Sequence, residues 1–307
     1  MGVFAILAGC GKNDSNNTPD GGTDGKIDNT PMNEDQVLEA CVRLHACGIQ
    51  KHPRTGDCFS DFYNRFVRFG QRALYQSMYR CANAGKGDCK IIRECLGFQG
   101  KPQTCGTGYQ PRCDGDVAYN CDLLAKWEQG IKCSLGGLKC GLKKAGSQTQ
   151  AVCGGGTCDE QQFKADCSTD QKLLQCVGGA IEIIDCPEQG LQCRDPKKGV
   201  CEGKGRSCRD FSPECRGDSV FRCEQGYEWV RDCSKEFGSK KCDTGLADCV
   251  GAGTECNTDS FFDECQGDTL VVCIDGKRRT FDCKGMGFEG CVKEGSFANC
   301  KALPVYE

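Results

Sequence analysis

Thiols dominate the reactive chemistry available to this sequence. It holds 31 cysteines in 307 residues and two histidines, His45 and His52. A thiolate can ligate metal, act as a nucleophile, or form and exchange disulfides. Spacing decides among these uses. No C-x-x-C occurs, and the closest pair, Cys153 and Cys158, has four residues between its members. Zinc ribbons, thioredoxin-type redox pairs and C-x-x-C-H haem attachment are thereby excluded. Neither histidine has metal-ligand spacing, so no metal and no cofactor is expected. Cys or Ser nucleophilic catalysis needs a neighbouring base, and no His occurs beyond residue 52. Covalent stitching in an oxidising compartment remains.

The cysteines divide into five sets of six with Cys10 left over. The first set is Cys41, Cys47, Cys58, Cys81, Cys89 and Cys95. The second is Cys105, Cys113, Cys121, Cys133, Cys140 and Cys153. The third is Cys158, Cys167, Cys176, Cys186, Cys193 and Cys201. Cys208, Cys215, Cys223, Cys233, Cys242 and Cys249 follow, then Cys256, Cys265, Cys273, Cys283, Cys291 and Cys300. Even sets fit complete internal pairing, with about 15 connectivities open to each. Leu, Ile, Val and Phe make up about 18% of the chain, too little for one large apolar core. The net charge of -4 gives no footprint for nucleic acid.

The odd cysteine ends the run Leu7-Ala8-Gly9-Cys10, after the apolar stretch Val3 to Leu7. This resembles a bacterial lipobox, in which the signal is cut before the Cys and its thiol takes up a diacylglycerol. The resemblance implies lipidation at Cys10, with acyl chains such as palmitate as the membrane anchor. The leader departs from a usual signal in its nine residues and in lacking Lys or Arg, which implies a start upstream of Met1. It is far shorter than the ~20 apolar residues of a transmembrane helix. Residues 11–31 are polar, with Ile27 as the one aliphatic residue. They read as a tether with an r.m.s. span of ~25 Å. Gly11 rather than Asp after the Cys, by resemblance to enteric lipoproteins, favours outer-membrane sorting.

Residues 32–100 read as helical. Asn33 and Gln36 form a capping box, followed by Val37, Cys41, Leu44 and Gly48 on one face. Cys41 and Cys47 lie about 240° apart around such a helix and should bond to other segments. Further helices are expected from about Cys58, from Leu74 to Cys81, and from Asp88 to Leu96. Phe59, Phe62, Phe66 and Phe69 form a stripe read as core. Arg65, Arg68 and Arg72 form a stripe read as a solvated face, with contact to anionic lipid as the functional alternative.

Beyond residue 100 the cysteine sets recur with a period of about 50 residues. Asp stands three residues after the second Cys each time: Asp116, Asp170, Asp218 and Asp268. A C-x-x-G and five further residues lead to Asp and the fourth Cys in CVGGAIEIIDC, CEQGYEWVRDC and CIDGKRRTFDC. The first set is longer there, as CDLLAKWEQGIKC. The pattern reads as a β-hairpin, with Asp275-Gly276 as a type I′ turn. Ile274 should then pair with Lys277, Cys273 with Arg278 and Asp268 with Cys283. Period-two alternation puts Cys273 and Cys283 on opposite faces, so each must bond outside the hairpin, to its flanking loops.

The expected fold is small and disulfide-rich: a helical disulfide unit followed by four tandem Cys-rich β-hairpin repeats. The expected boundaries are a signal remnant at 1–9, lipidated Cys and tether at 10–31, the helical unit at 32–100, and repeats at 101–153, 154–201, 202–249 and 250–307. Lipobox, leash, helical unit and C-x-G-[DN]…C-x-x-G…C arrays together resemble the Cys-rich lipoproteins of myxobacteria and related predatory bacteria. That resemblance implies a noncatalytic, lipid-anchored protein of the bacterial envelope, outer membrane or cell surface. Adhesion, envelope structure or binding of a surface protein or glycan would be its work. A weaker resemblance, through CVGGAIEIIDCPEQGLQC, is to peritrophin-type chitin-binding modules. It makes Trp127, Tyr227 and Trp229 candidate sugar-stacking residues. Arg216-Gly217-Asp218 resembles an integrin ligand, although its Gly-Asp belongs to the repeat. Paired carboxylates such as Asp268 and Asp282 leave an enzyme conceivable. The repeat aspartates lack a complete oxygen-ligand loop for Ca²⁺.

Overall fold

The computed structural model describes residues 30–49, 54–63, 72–98, 103–122, 126–209, 211–236, 240–258, 260–295 and 297–303. Four helices lead: α1 (Glu34–Ala46), α2 (Thr55–Tyr63), α3 (Arg72–Ala84) and α4 (Cys89–Leu96). The capping box forms as read, with Asn33 Oδ1 accepting from the Gln36 N–H at 2.9 Å and Gln36 Oε1 from the Asn33 N–H at 3.0 Å. Val37, Cys41 and Leu44 are fully buried on one face of α1. Asp88 caps α4 through the Lys90 and Ile91 N–H groups. Helix α2 starts three residues before Cys58, because its N-terminal cap comes from far along the chain. The Thr55 N–H donates to Asp263 Oδ2 at 2.7 Å, and this buried carboxylate also complements the helix dipole. Phe59 is buried as expected. The side chains of Phe62, Phe66, Phe69, Arg65 and Arg68 lie outside the described residues. Cys41–Cys58, Cys47–Cys89 and Cys81–Cys95 tie α1 to α2, the end of α1 to α4, and α3 to α4.

Four six-cysteine segments follow, each with a three-stranded meander and a second hairpin. In the first, β1 (Arg112–Asp114), β2 (Val117–Asp122) and β3 (Trp127–Lys132) precede β4 (Lys139–Ala145) and β5 (Gln148–Gly154). In the second, β6 (Asp166–Cys167), β7 (Lys172–Val177) and β8 (Ala180–Asp185) precede β9 (Leu191–Gln192) and β10 (Glu202–Gly203). The third has β11 (Glu214–Arg216), β12 (Ser219–Glu224), β13 (Tyr227–Asp232), β14 (Lys240–Asp243) and β15 (Asp248–Gly251). The fourth has β16 (Glu264–Gln266), β17 (Thr269–Ile274), β18 (Lys277–Asp282), β19 (Gly290–Glu294) and β20 (Phe297–Lys301).

The β17–β18 register is the expected one. Ile274 pairs with Lys277 and Cys273 with Arg278, and the Cys283 N–H donates to the Asp268 carbonyl at 3.1 Å. Asp275 (φ 48°) and Gly276 (φ 78°) both take positive φ, as a type I′ turn demands. In the first segment Asp122 pairs with Trp127, so its two extra residues lengthen the loop and leave the ladder intact.

The pairing of cysteines is the same in all four segments: first with third, second with fifth, fourth with sixth. In the last segment the bonds are Cys256–Cys273, Cys265–Cys291 and Cys283–Cys300. Cα–Cα distances there of 6.1, 5.6 and 5.3 Å fall in the ordinary disulfide range. Cys273 and Cys283 do leave opposite faces of the hairpin. Cys273 bonds the incoming loop as expected, but the partner of Cys283 sits on a strand, β20. The second hairpin of each segment was not expected. In β19–β20, Cys291 and Cys300 are direct cross-strand neighbours, yet each bonds the meander. The hairpin is thus riveted at two points rather than to itself. Fifteen disulfides take up every cysteine among the described residues.

The Gly-rich joints lie flat along the next hairpin. The Gly155 N–H donates to Ile181 O at 2.9 Å, Gly205 N–H to Glu228 O at 2.9 Å, and Gly253 N–H to Asp275 O at 3.1 Å. A Cβ on Gly203 or Gly251 would overlap the backbone of Tyr227 or Asp275, so glycine here serves close approach.

The helical segment does not close its own core. Leu270, Val272, Ile274, Phe288 and Ala298 of the fourth segment bury against α1–α4 in one cluster. Polar bonds follow the same seam: Arg54 Nη1 to Thr258 O at 2.6 Å, Arg43 Nη1 to Met286 O at 2.9 Å, and Arg279 Nη2 to Glu34 Oε1 at 2.9 Å. Ile131, Leu135 and Leu138 of the first segment pack on the same cluster. The second and third segments share a smaller core, with Leu173, Leu191, Val220 and Trp229.

Partial reduction and peptide mapping of the oxidised protein should return the first–third, second–fifth, fourth–sixth pairing in each segment; a Cys291–Cys300 peptide would contradict it. Ile274→Ala, at a 2% exposed position, should cost about 3 kcal/mol in denaturant titration with disulfides intact. The helical circular dichroism signal should move with it, since helices and fourth segment share a core; an unshifted helical transition would separate them.

Candidate functional site

Of the aromatic residues expected to stack on sugar, Trp229 is buried and Tyr227 is partly covered. Trp229 on β13 is 7% exposed. Its Nε1–H donates to Gln189 O at 2.8 Å, and the Arg222 guanidinium lies 4.0 Å from its ring centroid. Tyr227, two residues earlier on the same face of the strand, carries the Arg194 guanidinium 4.0 Å from its ring centroid. Gln189 and Arg194 both belong to the second segment. These aromatics are the joint between the second and third segments, and Trp229 is no sugar platform. Sequence alternation gives the face of the strand; it does not say that a neighbouring segment covers that face. The backbone of Trp127 opens β3, and its side chain lies outside the described residues.

The RGD tripeptide is folded back on its own sheet. Arg216 Nε donates to Glu214 Oε1 at 2.7 Å, and its guanidinium lies 4.4 Å from the Phe221 ring centroid. Gly217 takes φ 59°, matching Gly115 (55°) and Gly267 (62°) in the sibling turns. The tripeptide is a repeat turn whose arginine is engaged within the segment.

Cys10 and the tether to residue 29 lie outside the described residues, as does His52. Among the described residues no group of three His, Cys, Asp or Glu is placed to hold a metal ion. No described helix is long and apolar enough to cross a membrane. Asp268 and Asp282, the conceivable carboxylate pair, each serve local structure. Asp268 pairs with Lys284 at 2.8 Å, and Asp282 accepts from the Gly285 N–H at 3.1 Å.

Two clusters of titratable groups stand out, and sequence reasoning missed both. In the first segment Glu128 is 7% exposed. It accepts from the Tyr109 hydroxyl at 2.5 Å, from Arg112 Nη2 at 3.1 Å and from Arg112 Nη1. Burial pushes this carboxyl up, but the Arg112 and Tyr109 bonds outweigh it and hold it below the ordinary range. The Tyr109 phenol is raised by burial and by Glu128. The arginine also lies 4.4 Å from the Tyr119 ring centroid. The network is closed on itself, a structural strut.

The second cluster joins the helices to the second segment. Glu188 follows Pro187 in a short 3-10 turn, and Arg72 Nε of α3 stands 3.9 Å from its Oε1. Burial raises the Glu188 carboxyl to about 7, with Asp185 adding to the rise and Arg72 and Lys172 opposing it. Arg72, read in the sequence as part of a solvated stripe, is half-buried against this carboxyl.

Comparison with protein-family models, curated proteins and solved structures returned no match for the chain. The functional reading therefore rests on the residues alone.

The Glu188 carboxyl ionises later in the folded chain than in the unfolded one. Its cost is absent below the ordinary carboxylate range, grows as pH rises from there to 7, and is complete above. Glu188→Gln should therefore stabilise the protein at pH 8, on the order of 2 kcal/mol after allowing for partial exposure and the lost Arg72 contact. It should leave stability at pH 4 nearly unchanged. Denaturant midpoints at the two pH values check this; an equal shift at both would remove Glu188 ionisation as the cause.

Proposed function

We propose that the protein is a lipid-anchored extracytoplasmic module of the bacterial envelope, noncatalytic, held at Cys10 and presenting its internally disulfide-bonded repeats for surface binding, adhesion or envelope structure. The observation that carries this reading is the cysteine inventory. All thirty cysteines from Cys41 to Cys300 are paired internally. Cys10 alone stands outside the sets of six, and it ends the lipobox-like Leu7-Ala8-Gly9-Cys10. Fifteen bridges are formed and kept in oxidising compartments, which supports placement outside the cytosol.

The four segments, taken as a tandem repeat array, suit binding better than chemistry. Their shared residues are the six cysteines, the turn residues and the joint glycines, and each has a structural task in the fold. Acylation of Cys10 with two or more chains would make the anchor stable. The polar residues that follow would let the folded part reach across the space next to the membrane.

Metabolic labelling with a palmitate analogue in a bacterium with lipoprotein-processing enzymes should mark the full-length protein. Cys10→Ala should abolish the label and move the protein from the membrane to the soluble fraction. Unlabelled wild-type protein, or membrane association that survives the substitution, would refute the anchor.

A further inference from the structure

An open cleft of about 630 Å³ lies in the first segment, outside the clusters described above. Its walls are the 106–111 loop, the outer part of the β4–β5 hairpin over residues 147–153, and Leu74 and Tyr75 of α3. The volume falls within the roughly 300–1,000 Å³ of small-ligand sites. The chemistry of the lining is unusual for this chain. Charged residues make up 27% of the sequence, yet none of the described residues that line the cleft is charged. Amides, hydroxyls, aromatic rings and apolar side chains line it instead.

We propose that this cleft binds a neutral oligosaccharide, a di- or trisaccharide stretch of an uncharged glycan. Gln110, Gln148 and Gln150 line it and are exposed. A primary amide offers a donor and an acceptor side by side, the complement of neighbouring sugar hydroxyls, each of which both donates and accepts. The one bond of Gln110 is a long one, from Nε2 to Gly108 O at 3.4 Å, so its amide is readily given up to a ligand. The Tyr109 ring supplies an apolar face of the kind on which a pyranose packs. Its hydroxyl is committed to Glu128 at 2.5 Å, so the ring is held in place before any ligand arrives.

The alternatives fit less well. An anionic ligand would need a cation, and Arg112, next to the lining residue Pro111, is already bound through both terminal nitrogens to Glu128 and stacked on Tyr119. An extended peptide would add as a strand beside β5. That edge is capped at its centre: the Asn120 side chain donates to Ala151 O at 2.8 Å and accepts from the Ala151 N–H at 3.0 Å. A sugar seated on exposed side-chain amides leaves this cap intact. The cleft is separate from the joint aromatics Tyr227 and Trp229. It would act whether or not Cys10 is acylated, so the two proposals fail independently.

The test is saturation-transfer NMR and calorimetry on the full disulfide-bonded chain. The probes are neutral gluco-, manno- and N-acetylglucosamine oligomers, uronate and sulfated oligomers, and uncharged extended peptides. A neutral oligomer should bind, and the charged ones should not. Gln110→Ala with Gln150→Ala, both at exposed positions, should weaken binding about tenfold or more. Tyr109→Ala should do the same, while Tyr109→Phe should retain most of the affinity because the ring carries the contact. Arg206→Ala, remote from the cleft, should change nothing. Disulfide mapping and denaturation midpoints confirm that each variant folds. The proposal is overturned by no neutral oligomer binding at millimolar concentration, by binding that ignores the glutamine substitutions, or by peptide or charged oligomers taking the site instead.

Discussion

Every other feature of this molecule depends on covalent closure of short loops. The bonds from second to fifth and from fourth to sixth cysteine clamp each distal hairpin onto its meander, and the bond from first to third pins the incoming chain. Across the four segments the bridged cysteines stand 15 to 27 residues apart, with Cys186 and Cys201 at one extreme and Cys215 and Cys242 at the other. In the chain-entropy picture each such closure contributes about 3 kcal/mol by restricting the unfolded state. A two-stranded hairpin standing alone is marginal in water. With so few large aliphatic side chains, these segments have no other route to a single conformation.

Covalent closure works within segments, and packing works between them. Trp229 reaches the second segment from the third, and Ile274 reaches the helices from the fourth. The glycine joints then add backbone hydrogen bonds to the next hairpin. The helices act as a hub. They share a core with the fourth segment, receive apolar residues from the first, and meet the second at Arg72 and Glu188. Asp263 shows how tightly the parts are interleaved, since a residue more than two hundred positions away caps the start of α2.

What could be read in the sequence was local. Asp275-Gly276 fixes a turn type, and the turn type fixes a register, so the β17–β18 pairing followed residue by residue. Asn33 and Gln36 likewise announce their own capping box. The distal hairpins escaped notice because their turns differ: Gly146, Gly295 and the Thr244–Ala247 stretch share no common signature, and β9–β10 is only two residues long on each side. The shared core escaped because Leu270, Val272 and Ile274 look like any hydrophobic strand; nothing in their spacing names helices as the covering layer. Trp229 was misplaced for the same reason. The polar residues of the cleft come from a loop and a strand far apart in sequence, so only their convergence in space marks them.

No cross-link joins one six-cysteine set to another. Under tension the molecule therefore has two mechanical regimes. Its seams, built from side-chain packing, ion pairs and hydrogen bonds, would part at lower load than the bridges and let the beads separate along the backbone. Each bead would then resist stretching between its bridged cysteines until a sulfur–sulfur bond broke. Such a chain yields early and then stiffens, absorbing work at the seams while its smallest parts keep their shape and can dock again when the pull is released.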